Sequence, residues 1–117
     1  MKQGDIWLIN LDPTIGAEIK KTRPAVIVNN DALGKLPLKV IVPVTEWKQK
    51  YEVAPWMVKI EANTRNGLTK NSSADCFQIR SISEKRFVRR LGKITKSELD
   101  EIRIGLSKVL LIENEYE

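Results

Sequence analysis

Apolar and β-branched residues gather in short segments of five to eight positions, with turn-forming residues between them. Residues 6–10 (Ile-Trp-Leu-Ile-Asn) open the series. Residues 24–28 (Pro-Ala-Val-Ile-Val) read as a strand buried on both faces. Residues 39–45 follow, and Pro43 among them has no N–H for a ladder, so a bulge or an edge position is expected there. Residues 56–60, 73–80 and 86–91 complete the predicted strands. In the fifth, Ala74, Cys76 and Phe77 are expected to pack inward. Asn29-Asn30-Asp31 and Asn66-Gly67 supply turns. The connection 11–22 is long, holds Pro13 and Gly16 and has no apolar period, and long connections in compact domains are often functional.

The period changes near the end of the chain. Thr95 and Glu98 have capping-box spacing. Leu99, Ile102, Leu106, Val109 and Leu110 then share one helical face, which predicts a helix over about 97–112 lying on a sheet. Gly105 weakens that helix by about 1 kcal/mol relative to Ala. Many short strands and one terminal helix predict a mainly β (β-rich α+β) fold, a small barrel or strongly coiled sheet with helical cover. No repeat, low-complexity tract or linker divides the chain, so one domain over 1–117 is expected.

Composition narrows the chemistry. The chain has 117 residues, no His, one Cys and no Cys/His cluster. An internal disulfide framework, a zinc site of the usual kind and any imidazole base are excluded. The apolar runs at 25–28 and 40–44 are far shorter than the ~20 residues that span a bilayer. Residues 1–15 show no signal-peptide pattern. A soluble, cytoplasmic protein without membrane association is expected. Charge is uneven: residues 1–96 carry 18 basic and 9 acidic side chains, and 97–117 carry 2 and 6. A basic body attracts polyanions, nucleic acid foremost, although a modest net charge also serves solubility alone.

Few residues point to chemistry by themselves. Asp5, Asp12, Glu18 and Asp31 lie on separate segments at no ligand-like spacing, so no metal is expected. Cys76 reads as a small core residue. Arg23 closes the long loop before a buried strand, and Thr45 ends the next strand. If those strands converge, a guanidinium and a hydroxyl meet at one sheet end, where an Arg clamps phosphate well. A surface ion pair of Arg23 with Glu18 or Asp31, and a turn-capping role for Thr45, are equally open from spacing.

The residues also carry a resemblance. Residues 2–18 (Lys-Gln-Gly-Asp-Ile-Trp-Leu-Ile-Asn-Leu-Asp-Pro-Thr-Ile-Gly-Ala-Glu) and 22–30 (Thr-Arg-Pro-Ala-Val-Ile-Val-Asn-Asn) resemble the amino-terminal half of MazF/PemK-type toxins. Val42-Pro-Val-Thr45, Gly67-Leu-Thr-Lys-Asn-Ser72 and Asp75-Cys-Phe-Gln-Ile-Arg-Ser-Ile82 continue it in register over nearly the whole chain. The resemblance implies a small coiled antiparallel β-barrel of the Kid/MazF/CcdB type, SH3-like, with a carboxy-terminal helix. It implies a homodimer that cleaves single-stranded RNA, chiefly mRNA, without cofactor or metal, leaving 2′,3′-cyclic phosphate and 5′-hydroxyl ends. It also implies a cognate MazE-like antitoxin with an acidic tail, and operator DNA bound only through the toxin–antitoxin complex.

By motif, the resemblance assigns catalysis to Arg23 and Thr45. It places Gly16, Glu18, Lys20 and Lys21 in a loop that moves over substrate or antitoxin, and Gln78 and Arg80 near the RNA groove. Kid-like members use a loop His where this chain has Ala17, and an Arg and an Asp where it has Asp75 and Phe77. Activity would therefore follow the MazF pattern centred on Arg23 and Thr45. Such cleavage is in-line attack by the 2′-hydroxyl, helped by donors aimed at the phosphate oxygens and by splaying of the strand. A guanidinium stays protonated, so the sequence assigns no base; Glu18 is one candidate and base-free catalysis by positioning another. Splayed bases stack on aromatic faces, for which Trp47, Trp56 and Phe77 are candidates, although Trp7 and Trp56 read first as core. A gyrase-poisoning toxin of the CcdB type is the alternative, but its Trp-Gly-Ile ending is replaced by Ile112-Glu-Asn-Glu-Tyr-Glu117. A non-catalytic nucleic-acid-binding barrel is the other. One helix is too little cover for this many apolar strands, so symmetric pairing is expected.

Overall fold

The computed structural model describes residues 1–33 and 35–113. Its strands are β1 (Asp5–Asn10), β2 (Thr22–Ile27), β3 (Leu38–Glu46), β4 (Met57–Ile60), β5 (Ser72–Asp75), β6 (Arg80–Ser83) and β7 (Phe87–Lys93), and helix α1 spans Lys96–Leu110. All pairings are antiparallel, in the order β4-β5-β3-β2-β1-β7, with β6 also on β3. The outer strands β4 and β7 do not pair, so the sheet is barrel-like without being closed.

Alternation along the strands sorts the core into two clusters. Ile6, Val26, Val42, Val44, Val58, Ile60 and Ala74 pack on one face, and Leu99, Ile102, Leu106 and Val109 of α1 lie against them. Ile9, Ala25, Ile27, Ile41 and Ile82 pack in the other cluster, with Leu11 and Ile19 from the long loop. The helix and the loop thus cover different clusters, and the loop is a structural wall as well as a connection.

Helix α1 begins as its capping box dictates: Thr95 Oγ1 accepts from the Glu98 amide at 3.1 Å and Glu98 Oε1 accepts from the Thr95 amide at 2.8 Å. Its apolar face is the expected one except at Leu110, which is exposed. Asp5 is buried beside β7. Burial pushes its carboxyl up, but the Lys2 amide, the Arg90 guanidinium and the N-terminal ammonium hold it below the ordinary value.

Three local expectations are corrected. Residues 73–80 are not one strand: β5 stops at Asp75, a 3-10 turn covers Cys76–Gln78, and β6 starts at Arg80. The Asp75 side chain accepts from the Phe77 amide at 3.1 Å, and this bond within the chain displaces the ladder. As a result Ala74 and Cys76 are buried but Phe77 is 66% exposed. Trp56 is also exposed, edge-on to Phe77 with centroids 6.1 Å apart, whereas Trp7 is half-buried against Phe87. The ending expected to exclude a CcdB-type toxin reaches residues 114–117, outside the described residues.

Candidate nucleic-acid interface

Two prolines decide where the sheet opens. Strands β2 and β3 pair at Ile27–Ile41, Val26–Val42 and Ala25–Pro43, and no further. The Val28 amide donates to Val40 O at 2.9 Å, so even-numbered residues of both strands face each other across this ladder. The next bond in sequence would come from residue 24, which is Pro24 and has no N–H. The strands therefore fork at that point: β2 continues beside β1 to Thr22, and β3 continues beside β5 to Glu46. Pro43 points its nitrogen the other way, where β3 has left β6 at Ile41 and not yet met β5 at Val44. It lies at a break in pairing rather than at a sheet edge.

A cavity of about 360 Å³ opens in the fork, lined by Arg23 and Pro24 on β2, Val44, Thr45 and Glu46 on β3, and Ser72 on β5. Leu8, Arg89 and Leu91 form another wall, and residues Gly67 to Lys70 a third. That turn is built around buried Asn66. Its Oδ1 accepts from the Asn63 and Leu68 amides at 3.1 and 3.0 Å, and its Nδ2 donates to Glu61 O at 2.8 Å. Gly67 has φ +68°, and a Cβ there would stand 2.2 Å from Leu91 O, so only glycine brings this turn against β7.

The ion-pair alternative for Arg23 is not what forms: among the described residues no carboxylate pairs with it, and its Nε donates to Lys20 O at 3.3 Å. Thr45 is half-buried, and its hydroxyl makes no hydrogen bond among the described residues, so it caps no turn there. Lys70 and Arg89 add two cations; Glu46, the one acid lining the cavity, stands 4.0 Å from Lys70. An open guanidinium and an open hydroxyl in a cationic fork suit a phosphodiester. Lys70, Arg89 and Glu46 were not legible as site residues. Lys70 belongs to the Gly67–Ser72 motif and Arg89 to the predicted strand 86–91, but neither position shows which element its side chain faces.

The other candidates separate from this pair. Glu18, Phe77, Gln78 and Arg80 line a second cavity of about 450 Å³ with Ala17, Ile19, Pro43 and Ile79. Pro43 borders this cavity and Val44 the other, and the two linings share no residue. Here Gln78 and Arg80 hold the long loop: Gln78 Oε1 accepts from the Ile19 amide at 2.6 Å, Gln78 Nε2 donates to Ala17 O at 3.2 Å, and Arg80 donates to Leu11 O at 3.2 Å. Glu18 accepts from the Ile15 amide at 2.6 Å and does not line the Arg23 cavity, which counts against it as the base. Gly16, Lys20 and Lys21 are exposed on the loop and line neither cavity; nor does Trp47. A larger cavity of about 670 Å³ near the amino terminus holds none of the candidates, and its Lys39 is neutralised by Glu84 at 3.2 Å.

Two buried groups nearby are unsuited to catalysis. Burial raises the Asp75 carboxyl above its ordinary value, and Asp75 lines neither of these two cavities. Burial, and then the charge of Asp75, pushes the Cys76 thiol up to about 12, so it is no nucleophile at neutral pH.

A barrel-like antiparallel sheet, a terminal helix and a cationic fork together define a small β-rich domain with an anion-attracting cleft. Residues 2–110 match the family model described as PemK-like, MazF-like toxin of type II toxin–antitoxin system, and the chain belongs to this family. It is 36% identical over 108 residues to endoribonuclease MazF9 of Mycobacterium tuberculosis, covering 87% of this chain and 89% of that protein. Its fold matches MazF of Deinococcus radiodurans with a TM-score of 0.80 at 23% identity, over 96% and 97% of the two chains. It also matches a mycobacterial endoribonuclease solved with its cognate antitoxin, with a TM-score of 0.76 at 17% identity, over 97% of each chain.

Proposed function

We propose that this chain is an endoribonuclease toxin that cuts single-stranded RNA, chiefly mRNA, at the fork between β2 and β3. The observation that carries the reading is the pair of open groups, Arg23 and Thr45, in one cationic cavity. Arg23 and Thr45 donate to the nonbridging oxygens as charge builds on them during attack by the neighbouring 2′-hydroxyl. The 2′-hydroxyl gives its proton to solvent as it attacks, the bond from phosphorus to the 5′-oxygen breaks, and the 5′-oxygen takes a proton from solvent, leaving a 2′,3′-cyclic phosphate and a 5′-hydroxyl. Glu46, the one acid lining the cavity, is paired with Lys70 and given no role as base, so alignment of the 2′-oxygen with phosphorus and leaving oxygen supplies the remainder. The chain acts as a homodimer, and an acidic antitoxin tail competes for the same cations; that a relative was solved with its cognate antitoxin supports an antitoxin partner. Operator DNA is met only through that complex.

The test is cleavage of a long unstructured RNA in excess EDTA, with ends mapped by primer extension. The unaltered protein should give discrete cuts. Arg23→Ala should lower their rate by roughly 10²–10³, the usual loss when one transition-state donor is removed. Cutting that disappears in EDTA, or that survives Arg23→Ala intact, rejects the mechanism.

A further inference from the structure

The register of the sheet sets a row of side chains across one face. Thr45 pairs with Ser73, and Ser73 with Lys59. Lys59 therefore lies two strands from Thr45 on the same face, ~10 Å away at the usual strand spacing. Trp47, two residues beyond Thr45, shares that parity, and its amide donates to Asn71 O at 3.0 Å, extending the ladder. The Lys59 ammonium stands 5.0 Å from the centroid of the Trp47 ring, and Tyr51 meets the same ring edge-on at 6.0 Å. Lys59 borders a shallow hollow with Glu101, yet among the described residues no carboxylate lies within ion-pair distance of its ammonium. A cation held by a ring keeps its full charge for an anion, whereas one held by a carboxylate does not.

We infer that Lys59 is a phosphate-binding residue for single-stranded RNA, oriented by Trp47, and that the RNA crosses the sheet face from the fork toward β4. The inference rests on the RNA reading above. Proteins that hold single strands track the backbone with a line of cations. Arg23 and Lys59 would be two points on that line, one at the scissile phosphate and one beyond it. Trp47 then acts as a positioning residue for the Lys59 ammonium, since Lys59 and Tyr51 already engage its ring.

The experiment measures binding of a labelled, mixed-sequence 2′-O-methyl RNA, which cannot undergo 2′-hydroxyl attack, over a series of KCl concentrations. Lys59→Gln should weaken binding several-fold and reduce the slope of log K against log[salt] by about 0.7, the worth of one single-strand phosphate contact. Lys59→Arg should restore the slope, and Lys108→Gln on the outer side of α1 should not change it. Trp47→Leu should weaken binding, and adding Lys59→Gln to it should cost less than Lys59→Gln alone. An unaltered slope in Lys59→Gln, alongside Arg23-dependent cleavage, overturns this inference alone. Failure of the unaltered protein to bind the RNA overturns it together with the reading on which it rests.

Discussion

Helix α1 passes so close to the sheet at Gly105 that a Cβ there would stand 2.8 Å from Cys76 Sγ and 3.7 Å from Val58. Two effects then oppose each other in Gly105→Ala. The helix gains about 1 kcal/mol of propensity. The core is overpacked beside a buried sulfur, at a cost of roughly 1–3 kcal/mol. Overpacking should win, so Gly105→Ala lowers the urea midpoint, and Cys76→Ala in the same chain recovers much of the loss by removing the sulfur. A stabilised Gly105→Ala variant would contradict the close approach. From the chain alone, Gly105 is legible only as a weak helical residue, because its neighbour is 29 positions away in sequence. Arg23 and Thr45 show the same boundary. Their strand-end positions could be read from Pro24 and the apolar runs, but that Arg23 has no acidic partner among the described residues depended on where Glu18 and Asp31 folded.

The loop 11–22 is held at the element scale by side chains from one stretch of the chain. Gln78 bonds it twice, Arg80 donates to Leu11 O, and Arg86 donates to Asn10 O and Asp12 O. Gln78 and Arg80 are thus occupied in the protein without RNA, and an RNA that uses them must first free them from the loop. Gln78→Ala removes two bonds while leaving the buried core intact. Trypsin should then cut faster after Lys20 and Lys21, with little change in global unfolding. Equal protection in variant and parent would mean that Leu11 and Ile19 alone hold the loop down. Elements whose pattern is set over a few residues were legible: β1 to β4, β7 and the capped start of α1. The split of residues 73–80 was not, since Asp75 is a plausible strand residue until its carboxylate is seen to hold the Phe77 amide.

For the whole molecule, the question is what covers the apolar surface that one helix leaves open. Val53, Phe77 and Leu111 are 89%, 66% and 78% exposed, and Leu110, Leu111 and Ile112 form an uncovered apolar end to α1. Single exposed apolar residues are ordinary, but a contiguous uncovered run such as 110–112 marks an interface, and a second copy is the commonest cover. Self-association is not prevented by charge, because the basic body and the acidic residues after 96 attract as well as repel. Dimer formation links stability to concentration: the dimer's share of the folding free energy grows with protein concentration. Light scattering at micromolar concentration should therefore give twice the 13.4 kDa chain mass, and Tm should rise on concentrating the sample. A single-chain mass with a concentration-independent Tm would mean that the exposed residues are covered by a different partner, and the antitoxin would be the first to test.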